Sequence, residues 1–474
     1  MAEHGGEYHK LVYCQNIPTI GGDTMKRMLA LLLVFALLLP VCAAGAEGQG
    51  LALQDCHKVT LTKEDTKQSN KSVIRLWTAD TALDSVDQSL AEITSRWVEE
   101  LGPTLPKAAN STSKNSRLDV EIRYSRTGLT WMSFLLLART TYHRDLTGQL
   151  MTTRTYDMTT GERITLADIF PEDSEAWTLL QQKVRDGIAA YFPDEDPDPE
   201  EVEELVAPDS LRRLDFTLHG MSLTIHIPAE SFYAGHYTLM QITVMYPEIR
   251  DYMTEKAREE TDNASYYKFC ALTFDDGPSR TNTTLVLNSL METGIQATFF
   301  VVGNRIASYE DLVQREHDEG HAVASHNWHH GNVSKSSGSA LRAMPAKVNK
   351  ALIKAIGIPT RYDRVPYGLY NQMIKAKVGW PLIQWSLDTY DWRGRSSKTV
   401  LNTVLKQISD GDIILCHDIK DNTPTSAKLI AENLQEQGYM FLTIDELFAK
   451  DGITLQENTV YFRNADGVTS IKKK

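Results

Sequence analysis

Short apolar runs alternate with helix-like stripes through the second half of the chain. The apolar runs occupy residues 271–274, 297–302, 322–325 and 413–416. Apolar side chains at helical spacing occupy residues 284–293, 309–319 and 426–437. This alternation predicts parallel strands wrapped by helices, in an α/β domain that spans residues 265–450. In such domains the chemistry gathers at the C-terminal ends of the strands.

The first half of the chain has a mixed pattern. Residues 85–100 carry apolar side chains at helical spacing, whereas residues 118–122 alternate as a strand with one wet face. Thr165 is typical of a helix start, and a further helical stripe covers residues 176–190. Helices and strands are therefore both expected before the α/β domain.

A hairpin and a polar linker complete this first region. Residues 216–227 predict two strands that turn at His219 and Gly220. Residues 252–263 are polar and able to form a helix, but they have no core stripe, so we place the boundary near Ser265. The whole arrangement predicts a smaller α+β domain over residues 50–252.

The N-terminal residues have the layout of a secretory signal. Lys26 and Arg27 precede a mostly apolar run at 28–41, which is followed by Ala44-Gly45-Ala46. We interpret residues 25–46 as a signal peptide or an uncleaved membrane anchor, and residues 1–24 as a leader or a mis-called start. The location implied is extracellular or the cell envelope, with membrane association through the apolar run if the signal is not cleaved.

Length and charge narrow the class of protein. A chain of 474 residues predicts two or three domains. The net charge of −13, without a basic stripe, argues against a nucleic-acid partner. Signal cleavage would leave Cys56, Cys270 and Cys416, an odd set that predicts no disulfide framework.

Candidate chemistry begins where the first strand of the α/β domain ends. Asp275 and Asp276 follow an apolar run directly, and His326 and His330 stand four positions apart. Taken alone, the acids suit a turn, and the histidines suit a surface helix face. Together, one carboxylate and two imidazoles make the three-ligand set of a catalytic zinc site, which leaves a second carboxylate free as a base.

Five motifs in this order resemble the polysaccharide deacetylase family, the NodB-homology domain of carbohydrate esterase family 4. The matching segments are Thr273-Phe274-Asp275-Asp276-Gly277, His326 to His330, Arg364-Val365-Pro366-Tyr367-Gly368, Asp388 to Trp392, and Leu415-Cys416-His417. The resemblance implies a distorted (β/α) barrel of seven or eight parallel strands. Two positions depart from the family pattern, Asn327 and Gly331, and we expect both to loosen the loop behind them.

The resemblance assigns a metal site and a base. Asp276, His326 and His330 would bind one divalent metal ion, with Zn²⁺ favoured and Co²⁺ or Mn²⁺ as alternatives. Asp275 would act as the general base, oriented by Arg364. A bound ion of this kind lowers the pKa of water and polarises the acetamide carbonyl.

The remaining motif residues would complete the site. His417 would be the general acid, held protonated by Asp391, and the backbone N–H of Tyr367 would stabilise the oxyanion. The residues implied to contact substrate are Trp392, Leu415, Pro366 and Tyr367. Cys416, between two site residues on a strand, should face away from the site.

Three functions agree with these motifs. The first is a metal-dependent deacetylase acting on the N-acetyl groups of peptidoglycan sugars. The second is an acetyl ester hydrolase acting on xylan, or a chitin oligosaccharide deacetylase, on the same fold. The third is a wall-binding sensor with vestigial catalysis. A resemblance of the first region to the envelope-associated domain of the anti-sigma factor RsiV favours peptidoglycan. The tail at 451–474 contains one strand-like piece at 459–463.

Overall fold

The structure, a computed structural model, describes residues 58–68, 72–105, 116–142, 145–369, 374, 378–465 and 468–469. These residues belong to one compact unit. The predicted leader at 1–24 and the signal or anchor at 25–46 lie outside the described residues. Among the residues that are described, no helix combines the length and the apolar character needed to cross a membrane.

A six-stranded sheet opens the described chain, with its strands in sequence order. The strands are β1 (Thr60–Lys67), β2 (Val73–Asp80), β3 (Ser116–Thr127), β4 (Trp131–Tyr142), β5 (Asp145–Asp157) and β6 (Glu162–Ile164). Neighbours are antiparallel except β2 and β3, which are parallel. Helix α1 (Asp84–Leu101) buries Val86, Leu90, Ile93 and Trp97 in a shared core with this sheet, which confirms the helix predicted at 85–100.

A three-stranded antiparallel sheet and several short helices follow. The strands are β7 (Phe216–Leu218), β8 (Ser222–Pro228) and β9 (Leu239–Met245), so the predicted hairpin is confirmed. The helices are α2 (Leu166–Ile169), α3 (Ala176–Ala190), α4 (Pro199–Leu205), α5 (Pro208–Leu211), α6 (Tyr246–Ile249) and α7 (Glu255–Glu260). Thr165 caps α2 through a capping box with Asp168, as its position predicted.

Parallel strands form the second part of the fold. They are β10 (Lys268–Asp275), β11 (Thr298–Val301), β12 (Ala322–Ser325), β13 (Leu382–Ile383), β14 (Leu387–Asp388), β15 (Asp412–His417) and β16 (Tyr439–Phe441). The ladder runs β12-β11-β10-β15-β14, with β16 added beside the start of β10. Parallel bridges through Asp363 join β12 to β13. This ladder has the form of the distorted (β/α) barrel that was expected.

Helices cover the outer side of these strands. They are α8 (Asn282–Thr293), α9 (Gly303–Ile306), α10 (Glu310–Asp318), α11 (Gly338–Ile356), α12 (Ser397–Leu405) and α13 (Thr423–Glu436). Helix α14 (Ile444–Ala449) packs on the opposite face of the strands, where its apolar residues share a core with Ala271 and Ile413. Cys270 and Cys416 are free thiols buried among the side chains of the outer helical layer. Cys416 therefore faces away from the barrel interior, as strand alternation predicted.

The C-terminal tail completes the edge of the barrel. Strand β17 (Val460–Tyr461) pairs in parallel with β13, and both of its residues are buried. Strands β18 (Asn464–Ala465) and β19 (Val468–Thr469) form a final small hairpin. The strand-like piece predicted in the tail thus has a structural role at β13.

The predicted wet face of residues 118–122 is wrong. Asp119 and Glu121 are each only 6% exposed, because this face of β3 is covered. Arg123 of β3 lies 2.5 Å from the carboxylate of Glu319, just beyond α10. Arg139 of β4 lies 3.3 Å from the carboxylate of Asp318. Glu121 in turn pairs with Arg123 and Arg139, so these arginines join the buried carboxylate of β3 to the carboxylates of the barrel.

The predicted boundary near Ser265 stays a prediction. Both regions belong to the same compact unit. Asn263, two residues before Ser265, is fully buried, accepts from the Gly128 N–H at 2.8 Å and donates to the Gly220 carbonyl at 2.7 Å. The chain next to Ser265 is therefore tied to the first region by buried hydrogen bonds.

Candidate active site

The two adjacent acids lie at the C-terminal end of β10. Asp275 is the last residue of the strand and is only 3% exposed. Asp276 follows with a left-handed backbone conformation, at φ of 78°. Because this backbone leaves the strand geometry, consecutive side chains need not point to opposite faces. The two carboxylates can therefore serve one site.

The two histidines lie in a loop after β12, so the helical reading of their spacing is wrong. Nδ1 of His326 lies 2.7 Å from the backbone carbonyl of Arg364 and must donate to it, since a carbonyl only accepts. Nε2 of His326 is thereby left with its lone pair, 3.5 Å from Oδ1 of Asp276. Nε2 of His330 lies 3.1 Å from the same oxygen. We call Asp276, His326 and His330 the ligand cluster.

The ligand cluster fits a divalent cation. One potential ligand atom from each residue lies within 4.8 Å of the others. Oδ1 of Asp276 is buried and has no hydrogen-bond partner of good geometry among the described residues. A buried carboxylate oxygen without a donor, facing two imidazole nitrogens, is the arrangement that a bound cation satisfies.

Electrostatics favour an ionised Asp276. Burial raises the pKa of its carboxyl, but the nearby imidazoles of His326, His330 and His417 lower it more, so the net pKa lies below its usual range. Burial lowers the pKa of His330, which favours the neutral ring that a metal ligand requires. Burial also lowers the pKa of His326, but Asp275 and Asp276 outweigh it and raise the net value.

Arg364 holds Asp275 from the inside of the barrel. Its side chain is fully buried, and Nη1 donates to Oδ1 of Asp275 at 2.7 Å and to Oγ1 of Thr273 at 2.8 Å. Its other nitrogens donate to the carbonyls of Ile383 and Gln384, each at 3.1 Å. These bonds fix one oxygen of Asp275. The other, Oδ2, lies 3.7 Å from Nε2 of His326.

His417 and Asp391 form a second pair, at the end of β15. Nδ1 of His417 lies 2.8 Å from Oδ1 of Asp391, whose Oδ2 accepts from the His417 N–H at 2.7 Å and from Oγ1 of Thr423 at 2.8 Å. Burial lowers the pKa of His417, but the hydrogen bond and charge of Asp391 outweigh it, so the net pKa is raised. Nε2 is the ring nitrogen left for substrate.

Exposed aromatic residues stand in the motifs around these groups. Tyr367 is 60% exposed and Trp392 is 45% exposed. The Tyr367 ring lies edge-on, 4.4 Å from the ring of His330. Leu415 and Pro366 are buried. Large exposed apolar side chains are typical of ligand surfaces, and the predicted contact of Tyr367 and Trp392 with substrate stays a prediction.

Backbone strain is concentrated at this site. Among the described residues, seven non-glycine positions have positive φ, and four of them are Asp276, Asn327, Tyr367 and Tyr390. Each such conformation costs about 1–3 kcal/mol and persists only when its surroundings fix it. The four loops that carry candidate site residues are therefore held in defined shapes.

Asn327 does not loosen its loop. It is only 2% exposed, and its side-chain oxygen accepts from the Trp328 N–H at 2.8 Å. Its own N–H donates to Oγ of Ser325 at 3.1 Å and to Oδ1 of Asp363 at 3.2 Å. Asn also tolerates the left-handed backbone found here. The expected loosening at this position is wrong, because the amide forms its own hydrogen bonds.

Several supporting residues escaped the sequence analysis. Thr273 bonds Arg364, Thr423 bonds Asp391, and Asp363 bonds Ser325 and Asn327 behind His326. Burial raises the pKa of Asp363 to about 6. Thr273 is the first residue of the first motif but had been given no role, and Asp363 directly precedes the motif residue Arg364, a position that could have marked it. Thr423 lies outside the motifs, and its spacing carries no signal.

Comparison with known proteins identifies the family. The family model described as polysaccharide deacetylase matches residues 262–379. A peptidoglycan-N-acetylglucosamine deacetylase of Bacillus cereus is 35% identical over 188 residues, which are 38% of this chain and 88% of that protein. The chain belongs to the polysaccharide deacetylase family.

Other polysaccharide deacetylases match the same part of the chain. The peptidoglycan-N-acetylglucosamine deacetylase PgdA of Listeria monocytogenes is 41% identical over 207 residues, 44% of each chain. The solved structure of the peptidoglycan deacetylase PdaC of Bacillus subtilis is 34% identical, covering 38% of this chain and 90% of that chain with a TM-score of 0.37. The chain thus spans less than half the length of PgdA.

Proposed function

We propose that this polysaccharide deacetylase is a metal-dependent hydrolase that removes N-acetyl groups from peptidoglycan sugars. The observation that carries the proposal is the ligand cluster, one carboxylate and two imidazoles, with the carboxylate of Asp275 beside it. The names of the Listeria and Bacillus relatives support peptidoglycan as the substrate.

The residues of the ligand cluster would hold one divalent ion, with Zn²⁺ favoured by a set of one carboxylate and two imidazoles. Such an ion, when bound, polarises the acetamide carbonyl and makes water more acidic. Asp275 takes the proton of the attacking water through Oδ2, because Oδ1 is committed to Arg364. Arg364 is a positioning residue.

His417 acts after the attack. Its Nε2 gives a proton to the departing amine, while Asp391 holds Nδ1 and stabilises the imidazolium. Tyr367 offers its backbone N–H to the oxyanion, and one such donor is worth about 10²–10³ in rate. Trp392 and Leu415 wall the space for the acetyl methyl, with Pro366 fixing the turn before Tyr367.

The direct test is acetate release from purified peptidoglycan. The metal-loaded protein should release acetate, a chelator should abolish release, and added Zn²⁺ or Co²⁺ should restore it. Acetylated xylan and chitin oligomers serve as alternative substrates under the same conditions. Release that is insensitive to chelator contradicts the metal proposal. Release confined to xylan makes the protein an ester hydrolase. No release from any glycan favours a wall-binding sensor.

The location of the protein and the role of its first region are part of this proposal. The signal-like segment at 25–46 supports an extracellular or envelope location. Residues 50–252 would be the envelope-associated region. Fractionation of cells that express the full chain should place it outside the cytoplasm, and recovery in the cytoplasm alone would contradict this.

A further inference from the structure

Two arginines and two aromatic residues form a group directly beside Asp391. The guanidinium of Arg393 lies 4.7 Å from the centre of the Tyr390 ring and 4.6 Å from that of Trp392. The guanidinium of Arg395 lies 5.0 Å from the Tyr390 ring centre. We call Tyr390, Trp392, Arg393 and Arg395 the arginine–aromatic cluster.

The backbone holds this cluster in place next to the proposed acid. Nδ2 of Asn422 donates to the carbonyl of Asp391 at 3.2 Å and to that of Arg395 at 2.8 Å, so one side chain ties both ends of the loop. The Tyr390 N–H donates to Oδ1 of Asp388 at 2.8 Å. Since Asp391 also bonds His417, the cluster has a fixed position relative to the reacting groups.

The two arginines are not neutralised by the protein. Within the part of the chain that the structure describes, neither Arg393 nor Arg395 forms an ion pair, whereas Arg185 lies 2.7 Å from the carboxylate of Glu203. Arg393 is exposed, and its neighbour Trp392 is 45% exposed. Arg395 is partly exposed, and its Nη1 donates to Oγ1 of Thr403 at 3.5 Å. In a chain of net charge −13, two guanidinium groups beside the site that have no carboxylate partner among the described residues favour an anionic ligand.

We propose that the arginine–aromatic cluster binds a carboxylate-bearing sugar next to the sugar that is deacetylated. The exposed Trp392 face suits the apolar face of a pyranose ring, and a guanidinium matches a carboxylate with two parallel hydrogen bonds. N-acetylmuramic acid carries a free lactyl carboxylate where no stem peptide is attached to it, and an oligomer of N-acetylglucosamine alone carries none. The arginine–aromatic cluster would therefore make the protein prefer anionic glycans to neutral ones. This inference rests on the proposed deacetylase function.

The test compares two substrates that differ only at the lactyl carboxyl group, which is charged in one and neutral in the other. One is a peptide-free oligomer of alternating N-acetylglucosamine and N-acetylmuramic acid, and the other is the same oligomer with its lactyl carboxylates converted to methyl esters. We expect wild-type kcat/KM to be roughly tenfold higher on the free acid, the size of one hydrogen bond to a charged group. The double variant Arg393→Gln, Arg395→Gln should lose this preference, so that the ratio of kcat/KM on the free acid to kcat/KM on the ester falls to about one.

Controls separate the possible failures. Lys406→Gln removes an exposed positive charge at the far end of α12 and should keep the preference. Equal wild-type rates on acid and ester, or a double variant that keeps the preference, overturn the proposal. If the double variant unfolds, the wild-type ratio and the single variant Arg393→Gln decide. A wild-type protein that releases acetate from neither oligomer nor from peptidoglycan contradicts the proposed function itself.

Discussion

Two of the places at which this structure buries charged side chains differ in their balance of charge. Between the first region and the barrel lies an interface cluster that consists of Glu121, Arg123, Arg139, Arg315, Asp318 and Glu319. It contains as many arginines as carboxylates. At the ligand cluster and its neighbour Asp275, two carboxylates face only one arginine, Arg364, and the other partners are imidazoles.

This difference indicates that the two clusters have different roles. The charges of the interface cluster balance one another, so the cluster can stabilise the contact between the two regions without a ligand. The active site keeps an excess of negative charge, which is costly in a buried place unless a cation enters. A buried charge cluster therefore indicates function when its charges do not balance within the protein.

The largest expected effect is at the ligand cluster. His330→Ala removes one of three ligands, so metal content and acetate release should fall together, with activity lower by at least about 10²-fold. Metal content is measured by elemental analysis and activity on peptidoglycan with the same preparation. Full metal content with full rate would show that His330 is not a ligand.

The interface cluster should respond in stability and not in chemistry. Glu319→Gln leaves Arg123 and Arg315 without their shared carboxylate, and breaking a buried pair costs about 3–5 kcal/mol. Urea unfolding measures this loss, whereas kcat of the folded fraction should stay near that of the wild type. Glu203→Gln, at the exposed pair with Arg185, is the control and should leave the unfolding midpoint unchanged. A Glu319→Gln protein of full stability would show that the cluster does not hold the regions together.

Acid should weaken the same interface. Burial lowers the pKa of His219, on the first region, to about 4, and Nε2 of His219 lies 3.5 Å from the Gln296 amide of the barrel. The pKa of His219 in the folded protein lies below its value of about 6.5 in the unfolded chain. The contribution of neutral His219 to the free energy of unfolding is therefore complete above about pH 6.5 and is lost as the pH falls toward 4. Protonation of His219 should lower the free energy of unfolding by on the order of 3 kcal/mol.

His219→Gln should therefore flatten the acid side of the stability profile measured by thermal unfolding. At pH 8 the imidazole is neutral in both states, and the variant should differ from the wild type only by a pH-independent amount. A wild-type and a variant profile with the same acid slope would contradict the assignment to His219.

The smallest expected effect is a shift in the pH profile. His417 must be protonated to act, and Asp391 raises its pKa against the effect of burial. Asp391→Asn should lower this pKa toward about 6.5, so kcat/KM on a soluble N-acetylglucosamine oligomer should begin to fall at lower pH than in the wild type. The fall in kcat/KM on the acid side of the pH profile should occur at the same pH in both proteins. If the fall on the alkaline side were also unchanged, Asp391 would not be the residue that raises the pKa of His417, and Asp388 would be the next candidate.

The local sequence pattern predicted much of the fold, because the spacing of apolar residues along a segment indicates which of its faces is buried. The stripe of α1 and the hairpin of β7 and β8 are examples. The wet face of residues 118–122 could not be predicted correctly, because alternation shows that Asp119 and Glu121 are polar but not that a second region covers them. The barrel residues on this face, Asp318 and Glu319, pair with Arg139 and Arg123 and are about two hundred positions away along the chain.

The candidate site shows the same limit. Ordered motifs marked the residues of the ligand cluster, but the four-residue spacing of His326 and His330 did not determine the backbone between them. The segment that carries both histidines is a loop, with Asn327 at φ of 69°, and not the helix in which this spacing would place them on one face. Thr423 could not be found, because its bond to Asp391 depends on how α13 packs beside β15.

The central claim is that Asp276 holds the cation while Asp275 moves the proton. Metal content and acetate release, measured together on Asp275→Asn and Asp276→Asn, test it most directly. The account predicts that Asp275→Asn keeps its metal and loses turnover by about 10²–10⁴-fold, whereas Asp276→Asn loses both. Equal metal loss in the two variants would show that both acids are ligands and that the base lies elsewhere.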